Sequence, residues 1–151
     1  MYQYKRLLKI KLKKGFTFIE ILIVVIILGV LAAIVIPQFT DASAQSKQSA
    51  VQTDLQTVRS QIQLYKIQHN DQLPCWGTAT FEQCMAGKTD VSGAVGTNYG
   101  PYMQKMPVNV FNNLDTVTAG TANPGSGGSG WYYNISTGTF NANDSNEHAA
   151  W

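Results

Sequence analysis

The sequence has few of the residues that carry most enzyme chemistry. Its 151 residues include only 2 histidines and 2 cysteines, and His69 and His148 lie far apart in the chain. The haem-attachment motif C-x-x-C-H, the zinc-protease motif H-E-x-x-H and the nucleophile motif G-x-S-x-G do not occur. Because an active site needs a nucleophile, a base or a set of metal ligands, we predict that the protein is not an enzyme.

Acidic residues are missing from the first fifteen positions, which hold six of the 11 cations. The rest of the chain therefore has five cations against nine acids, a side-chain charge of −4. Nucleic acid binding needs clustered Lys and Arg, so the acidic body argues against nucleic acid as the main partner. The basic block, residues 1–15, is followed at once by an apolar segment.

Polar side chains are almost absent from residues 16–36, where only Thr17 and Glu20 interrupt the apolar run. These twenty-one residues would span about 31 Å as a helix, which matches the ~30 Å hydrocarbon core of a bilayer. Backbone N–H and C=O groups in lipid must find hydrogen-bond partners within the segment itself, so this run is predicted to be a transmembrane helix. The positive flank favours an orientation with residues 1–15 on the cytoplasmic side.

Two simpler interpretations of this segment fit less well. A secretory signal peptide has a shorter apolar region and a polar stretch before its cleavage site, and both features are missing here. A plain membrane anchor leaves Glu20 unexplained, since a carboxylate inside lipid costs about 2–3 kcal/mol. Cleavage after Gly15 would create an ammonium on Phe16, and that group could pair with Glu20 of a neighbouring chain and set its register.

The residues from Lys13 to Glu20, KKGFTFIE, followed by the apolar run and Pro37, resemble the class III signal of the type IV pilin and pseudopilin superfamily. The resemblance implies that a prepilin peptidase cuts between Gly15 and Phe16, and that Phe16 is then N-methylated. It also implies that Glu20 guides the addition of each subunit to a helical homopolymer, in which Pro37 takes part in assembly.

The same resemblance implies where the protein lies and what it meets. It places a single-pass subunit in the bacterial inner membrane with its head in the periplasm, and later in a periplasmic or extracellular filament. The implied partners are further copies of the chain, the prepilin peptidase, an inner-membrane assembly platform and minor pseudopilins. An anchored periplasmic binding or catalytic domain, the alternative from another class, would need neither the Gly15–Phe16 junction nor Glu20.

Residues 37–70 are predicted to continue the helix in an amphipathic form. Pro37 indicates either a helix boundary where the membrane ends or a bend that lets helices pack in a fibre. Apolar residues then recur at helical spacing and predict one buried face. That face consists of Ala44, Val51, Leu55, Val58, Ile62 and Tyr65. Asn70 and Asp71 are stop signals for the helix.

The head, residues 71–151, is rich in Gly, Asn, Thr and aromatic residues, which predicts short strands and turns. The segments Trp131–Ile135 and Thr139–Ala142 flank a Gly-containing turn and predict a β-hairpin. The Gly-rich stretch Pro124–Gly130 predicts another hairpin loop. The expected fold class is α+β, with a long N-terminal helix packed on a small C-terminal antiparallel sheet of three or four strands, as in pilins.

Cys75 and Cys84 are the only cysteines, and the eight residues between them suit one disulfide over a short loop. Such a closure contributes about 2.5–3 kcal/mol on the chain-entropy model. It requires an oxidising compartment, which agrees with a head outside the cytoplasm. A metal site would need further ligands close by in the sequence, and there are none.

The tail from Asn141 to Glu147 is rich in oxygen-bearing side chains but lacks the pattern of an EF-hand loop. Major pseudopilins have a calcium site in their C-terminal loops, and this resemblance implies that Asp144 contributes to one. The alternative is a solvated tail. Apart from this structural calcium, no cofactor is expected.

The segment Gly100–Pro107 resembles the stretch before the sheet in the major pseudopilin of type II secretion. That family continues with an Asp-Pro-Trp-Gly tetrad, whereas this chain has NVFN at Asn109–Asn112, so the match is looser there. The predicted function is that of the major pseudopilin, whose short filament acts as a piston that exports folded proteins. The alternative is a type IV pilin for adhesion, twitching motility or DNA uptake.

Overall fold

A computed structural model describes residues 15–125 and 127–151. Residues 1–14, most of the predicted leader, lie outside the described residues. The chain divides into two compact units, Met1–Ala42 and Ser43–Trp151. The helices are α1 (Phe18–Gln68), α2 (Phe81–Ala86) and a 3₁₀ helix (His148–Ala150), and the strands are β1 (Val117–Gly120), β2 (Trp131–Asn134) and β3 (Phe140–Ala142).

Helix α1 runs through both the apolar and the amphipathic segments predicted from the sequence. It has 51 residues and is long and apolar enough to cross a membrane, with a mean hydropathy of 3.3 in its most apolar window. Pro37 lies inside it, so the predicted alternative of a helix boundary at this residue is wrong. A proline removes only one backbone donor, and the helix on both sides supplies cooperative hydrogen bonds. The predicted bend stays a prediction.

The core of the head lies between the second half of α1, helix α2 and the strands β2 and β3. The predicted face of α1 is buried from Val51 onward, whereas Ala44 is exposed. The ring of Phe81 in α2 lies 4.4 Å from that of Tyr133 and 5.4 Å from that of Phe140, measured between centroids. Burial contributes about 25 cal/mol per Å² of apolar surface, so this aromatic cluster holds the amphipathic half of α1 to the sheet.

The sheet has three strands in the order β1–β2–β3. Strands β2 and β3 are antiparallel, with Trp131 opposite Ala142 and Tyr133 opposite Phe140, which confirms the predicted hairpin. Strand β1 pairs with β2 in parallel, with Val117 opposite Trp131. The prediction of a wholly antiparallel sheet is therefore wrong for this pair.

The segment between Gly120 and Trp131 explains the parallel pairing. It returns the chain to the end of the sheet where β1 began, so it is a crossover connection rather than the predicted hairpin loop. Its course is held by Asn143, whose Oδ1 accepts from the backbone N–H of Gly125 (2.7 Å) and whose carbonyl accepts from that of Gly127 (2.7 Å). These contacts come from the C-terminal segment, which a local pattern does not reveal.

Helix α2 is missing from the sequence prediction although its signal is present. Thr80 caps the helix: its hydroxyl accepts from Gln83 N–H (3.3 Å), while its own N–H donates to Gln83 Oε1 (2.8 Å). This Thr-x-x-Gln pattern is a capping box. Phe81 and Met85, four residues apart, then place the apolar side of α2 in the core.

Candidate assembly site

The N-terminus of α1 is closed by reciprocal hydrogen bonds between Thr17 and Glu20. Glu20 N–H donates to Thr17 Oγ1 (3.3 Å), and Glu20 Oε2 accepts from Thr17 N–H and from the Thr17 hydroxyl, both at 2.7 Å. This arrangement is a capping box, and it satisfies orphan backbone donors at the start of the helix. The one acidic residue of the apolar run therefore has a partner within its own chain.

The cap uses only one of the two carboxylate oxygens of Glu20. Among residues 15–125 and 127–151, no donor contacts Glu20 Oε1, whereas Oε2 accepts twice. Gly15 and Phe16 lie just ahead of the helix and are exposed, Phe16 by 84%. The site thus combines an accessible peptide junction with a carboxylate oxygen that can accept from a further donor.

The apolar half of α1 has an exposed surface on all sides. Its large side chains from Phe18 to Ile36 are 42–85% exposed. A continuous apolar surface of this size is unfavourable in water and indicates contact with lipid or with other apolar helices. The candidate assembly site, the Thr17–Glu20 pair with the Gly15–Phe16 junction, lies at one end of this surface.

The two cysteines are free thiols. Cys84 is fully buried in α2, and Cys75 is half-buried in the preceding loop. Their shared hydrogen bond lowers the pKa of the Cys84 thiol to about 6 and, together with burial, raises that of Cys75. The predicted disulfide stays a prediction, since the structure holds the pair in the reduced form.

His69, one of the two histidines, is fully buried. Its Nδ1 is 2.9 Å from the Tyr65 carbonyl oxygen, and its Nε2 is 2.9 Å from Thr89 Oγ1. A neutral ring that donates from Nδ1 and accepts at Nε2 satisfies both contacts. His69 therefore ties the end of α1 to the loop around Thr89.

Asp144 is held by two donors in the C-terminal segment. Its Oδ1 accepts from Asn109 Nδ2 (2.8 Å), its Oδ2 pairs with His148 Nδ1, and only 7% of its side chain is exposed. The His148 ring packs against those of Phe111 and Trp151, with centroids 4.0 and 4.3 Å away. The alternative of a solvated tail is therefore wrong, because the tail is packed onto the head.

These contacts do not fit a calcium site. Calcium takes roughly six to eight oxygen ligands, whereas both oxygens of Asp144 face nitrogen atoms. Within residues 15–125 and 127–151, no group of three or more His, Cys, Asp or Glu side chains could hold a metal. The implied calcium site stays a prediction, and the arrangement favours a polar network that needs no ion.

The partners of the predicted site residues were missed by sequence reasoning, for different reasons. Thr17 lies three residues before Glu20, and the capping-box spacing could have found it. His148 lies four residues after Asp144, which is a weak local signal. Asn109 lies 35 residues before Asp144, and no pattern in the sequence connects the two.

Comparison with known proteins places these features in a family. Residues 10–36 match the family described as the prokaryotic N-terminal methylation motif. The type II secretion system core protein G of Pseudomonas aeruginosa is 31% identical over 114 residues, which cover 74% of this chain and 78% of that protein. A fimbrial protein of Neisseria meningitidis is 30% identical over 112 residues, 74% of this chain and 58% of that protein.

A shorter match concerns the type IV major pilin protein PilA of Myxococcus xanthus, which is 53% identical over 45 residues, 30% of this chain and 20% of that protein. No solved structure gives a significant match to the chain.

The methylation motif covers Gly15, Phe16 and Glu20, and the similarity to core protein G extends over most of both proteins. The chain belongs to the type IV pilin and pseudopilin superfamily.

The hydrogen bonds of Asp144 with Asn109 and His148 lead to a prediction about the stability of the head. Asp144→Ala should lower the free energy of unfolding by about 1–3 kcal/mol, because it leaves nearly buried donors without their acceptor. The exposed Asp115→Ala is the matched control and should change it by less than about 0.5 kcal/mol. Urea unfolding of the full chain in detergent, followed by tryptophan fluorescence, measures both values.

The same titration tests the calcium prediction. We expect Asp144→Ala to lower the free energy of unfolding equally in calcium and in chelator, since both oxygens of Asp144 already accept from nitrogen donors. The polar-network interpretation would be contradicted if Asp144→Ala lowered the free energy of unfolding only in calcium and if calcium stabilised the unmodified protein.

Proposed function

We propose that this protein is the subunit of a helical filament anchored in the bacterial inner membrane, and specifically the major pseudopilin of type II protein secretion. In this role a short filament acts as a piston that exports folded proteins. The observation that carries the proposal is the half-satisfied Glu20 carboxylate beside an accessible Gly15–Phe16 junction, at the start of an exposed apolar helix. Similarity to core protein G over most of both proteins supports the secretion branch.

The second candidate is a type IV pilin for adhesion, twitching motility or DNA uptake. It is favoured by the similarity to the Neisseria meningitidis fimbrial protein, which covers the same share of this chain as core protein G does. The NVFN sequence at Asn109–Asn112, which replaces the tetrad typical of major pseudopilins, also favours it. Both candidates use the same membrane storage and the same assembly step.

The first step is removal of the leader, residues 1–15. Gly15 and Phe16 precede the first helical residue and are exposed, so a peptidase can bind this stretch in extended form. Among the described residues beyond its chain neighbours, no atom lies within 4 Å of the position of a Cβ on Gly15. Cleavage by a prepilin peptidase creates the ammonium of Phe16, which is then N-methylated and stays charged.

The second step is selection of the subunit by charge. The Phe16 ammonium of one subunit donates to Glu20 Oε1 of its neighbour, while the Thr17 cap still holds Oε2. An ion pair between two subunits in a medium of low dielectric constant is strong only at short distance, so it fixes the register of addition. Association of apolar helices within lipid gains little free energy by itself. The register of the subunits therefore depends on the ion pair between Phe16 and Glu20.

The third step is cohesion of the filament. Once subunits leave the bilayer, the exposed side chains of residues 16–36 bury one another, at about 25 cal/mol for each Å² removed from water. A bend at Pro37 lets neighbouring helices pack closely. The inner-membrane assembly platform and the minor pseudopilins act at this step, while the head lies in the periplasm.

Processing can be tested at the junction itself. Gly15→Ala should leave the leader uncut, because the added methyl group blocks close approach of the peptidase to the peptide bond. Gly29→Ala, in equally open space within α1, is the matched control and should be processed normally. Intact-mass measurement of the membrane-purified protein should show a chain that starts at Phe16 and carries one added methyl group in the control only. A mature Gly15→Ala chain would contradict the proposed cleavage.

Assembly can be tested at Glu20. Glu20→Gln keeps the size of the side chain but removes the charge, and should weaken each contact by about 2–5 kcal/mol. The yield of sheared filaments, counted by electron microscopy, should therefore fall by at least about tenfold while membrane insertion is unchanged. Asp41→Asn, at an exposed carboxylate of the same helix, is the control and should assemble normally. Normal filaments from Glu20→Gln would remove Glu20 from the mechanism.

The two branches can be separated by deletion of the gene. If the protein is the major pseudopilin, the deletion strain should retain exported folded proteins in its periplasm and keep its surface motility. Complementation with the unmodified gene should restore release. Lost motility or lost DNA uptake with normal protein release would favour the type IV pilin instead.

A further inference from the structure

Strand β1 lies at an edge of the sheet, and β2 pairs with only one of its sides. Trp131 N–H donates to the Thr116 carbonyl (3.1 Å), and Ile135 N–H donates to the Gly120 carbonyl (3.0 Å). The backbone groups of positions 116, 118 and 120 therefore face β2. Successive residues of an extended strand present these groups to opposite sides, so those of positions 117 and 119 face away from the sheet.

The outward backbone groups of β1 are only partly satisfied. Val117 N–H donates to Glu82 Oε1 of α2 (3.3 Å). Within residues 15–125 and 127–151, no hydrogen bond reaches the Val117 carbonyl or the N–H and carbonyl of Ala119, which is an exposed residue. Such an edge can pair with a further strand, because its donors and acceptors have the spacing of an extended chain.

A pocket of about 280 Å³ lies beside the start of β1. Its charged lining residues are Glu82, Lys105 and Asp115, one cation against two acids, which is a side-chain charge of −1. Neither Glu82 nor Asp115 forms an ion pair with another described residue. The pocket therefore suits a cationic side chain.

We propose that the edge of β1 and this pocket together bind an extended, basic segment of a partner protein. The segment adds a strand beside Ala119: it accepts from the Ala119 N–H and donates to the carbonyls of Val117 and Ala119. A Lys or Arg side chain of the same segment enters the pocket, where it meets the carboxylates of Glu82 and Asp115. Main-chain hydrogen bonds give affinity in this mode of recognition, and the side chain in the pocket gives specificity.

The chemistry of the site favours this occupant over a second copy of the chain. A second copy that paired through its own β1 edge would bring the sequence VTAGTAN, residues 117–123, which contains no cation for the pocket. Only a polypeptide in extended form supplies backbone donors and acceptors in the alternating order of the edge. The partner is therefore distinct from the neighbouring subunits of the proposed filament.

Binding can be measured on the full chain in detergent by fluorescence anisotropy. The probe is a fluorescein-labelled peptide of alternating Thr and Val around one central Lys. It should bind saturably, and at least about fivefold more tightly than the matched peptide with a central Glu. The Lys peptide with N-methyl groups on two successive central amides, which block both of its edges, should bind at least about tenfold more weakly.

Ala119→Pro tests the edge itself. Proline removes the outward N–H and places its ring at the edge, but position 119 gives no hydrogen bond to β2, so the sheet is kept. Binding of the Lys peptide should weaken at least about tenfold. The matched control Ala119→Val keeps the N–H and should bind as the unmodified protein does. Both variants should unfold at the same urea concentration as the unmodified protein.

The pocket is tested by Asp115→Asn, which removes one of its charges without a change in size. The preference for the Lys peptide over the Glu peptide should fall by about two- to fivefold. An unchanged preference would remove Asp115 from the pocket interaction and contradict the assignment of a basic segment.

Four other results would overturn the proposal. They are no binding of the Lys peptide, equal binding of the Lys and Glu peptides, equal binding by Ala119→Pro and Ala119→Val, and a concentration-dependent dimer that Ala119→Pro abolishes. If Ala119→Pro fails to fold, the N-methylated peptide decides, since its binding as tightly as the unmethylated one contradicts strand pairing. Because every measurement uses purified protein and a peptide, failure here leaves the proposed filament function untouched.

Discussion

The start of α1 and the proposed assembly both depend on one carboxylate in an apolar helix. A charged group at such a position costs about 2–3 kcal/mol on insertion scales. A helix cap contributes about 0.5–2 kcal/mol, so the Thr17 hydrogen bonds offset only part of that cost. The remainder favours a second, charged donor for Glu20. In the proposed assembly, the N-terminus of another subunit supplies that donor.

In the head, a small sheet is held against one face of a helix without many charged contacts. Arg59 on α1 donates from Nε to the Phe140 carbonyl (3.0 Å) and from Nη2 to the Trp151 carbonyl (2.8 Å), so the helix ties down the last strand and the C-terminal segment together. Asp144 and His148 hold the same segment from within. A tail whose composition is also compatible with a solvated segment is packed onto the head, because the side chains of Asn141, Asp144 and His148 find fixed partners.

The sequence was sufficient for features that depend on near neighbours. Helical spacing predicted the buried side chains from Val51 to Tyr65, and the turn residues predicted the hairpin of β2 and β3. The sequence was insufficient where the structure depends on contacts between distant segments. Strand β1 is parallel to β2, and the connection between them is held by Asn143 from the distant C-terminal segment. Pro37 lies inside a helix because the flanking turns outweigh one lost hydrogen bond. Helix α2 was predictable from its capping box but was overlooked.

The amino-acid order by itself predicted the long apolar helix and the N-terminal motif that contains Glu20, since each follows from hydrophobicity, charge and spacing over a few turns of chain. The family relationship rests on those same residues together with the match to core protein G. Only the tertiary structure decided which donors hold Asp144, that Cys84 is fully buried and which way β1 runs. These outcomes depend on which residues, tens of positions apart, are packed closely enough to exclude water and to hydrogen-bond, and no local pattern specifies that.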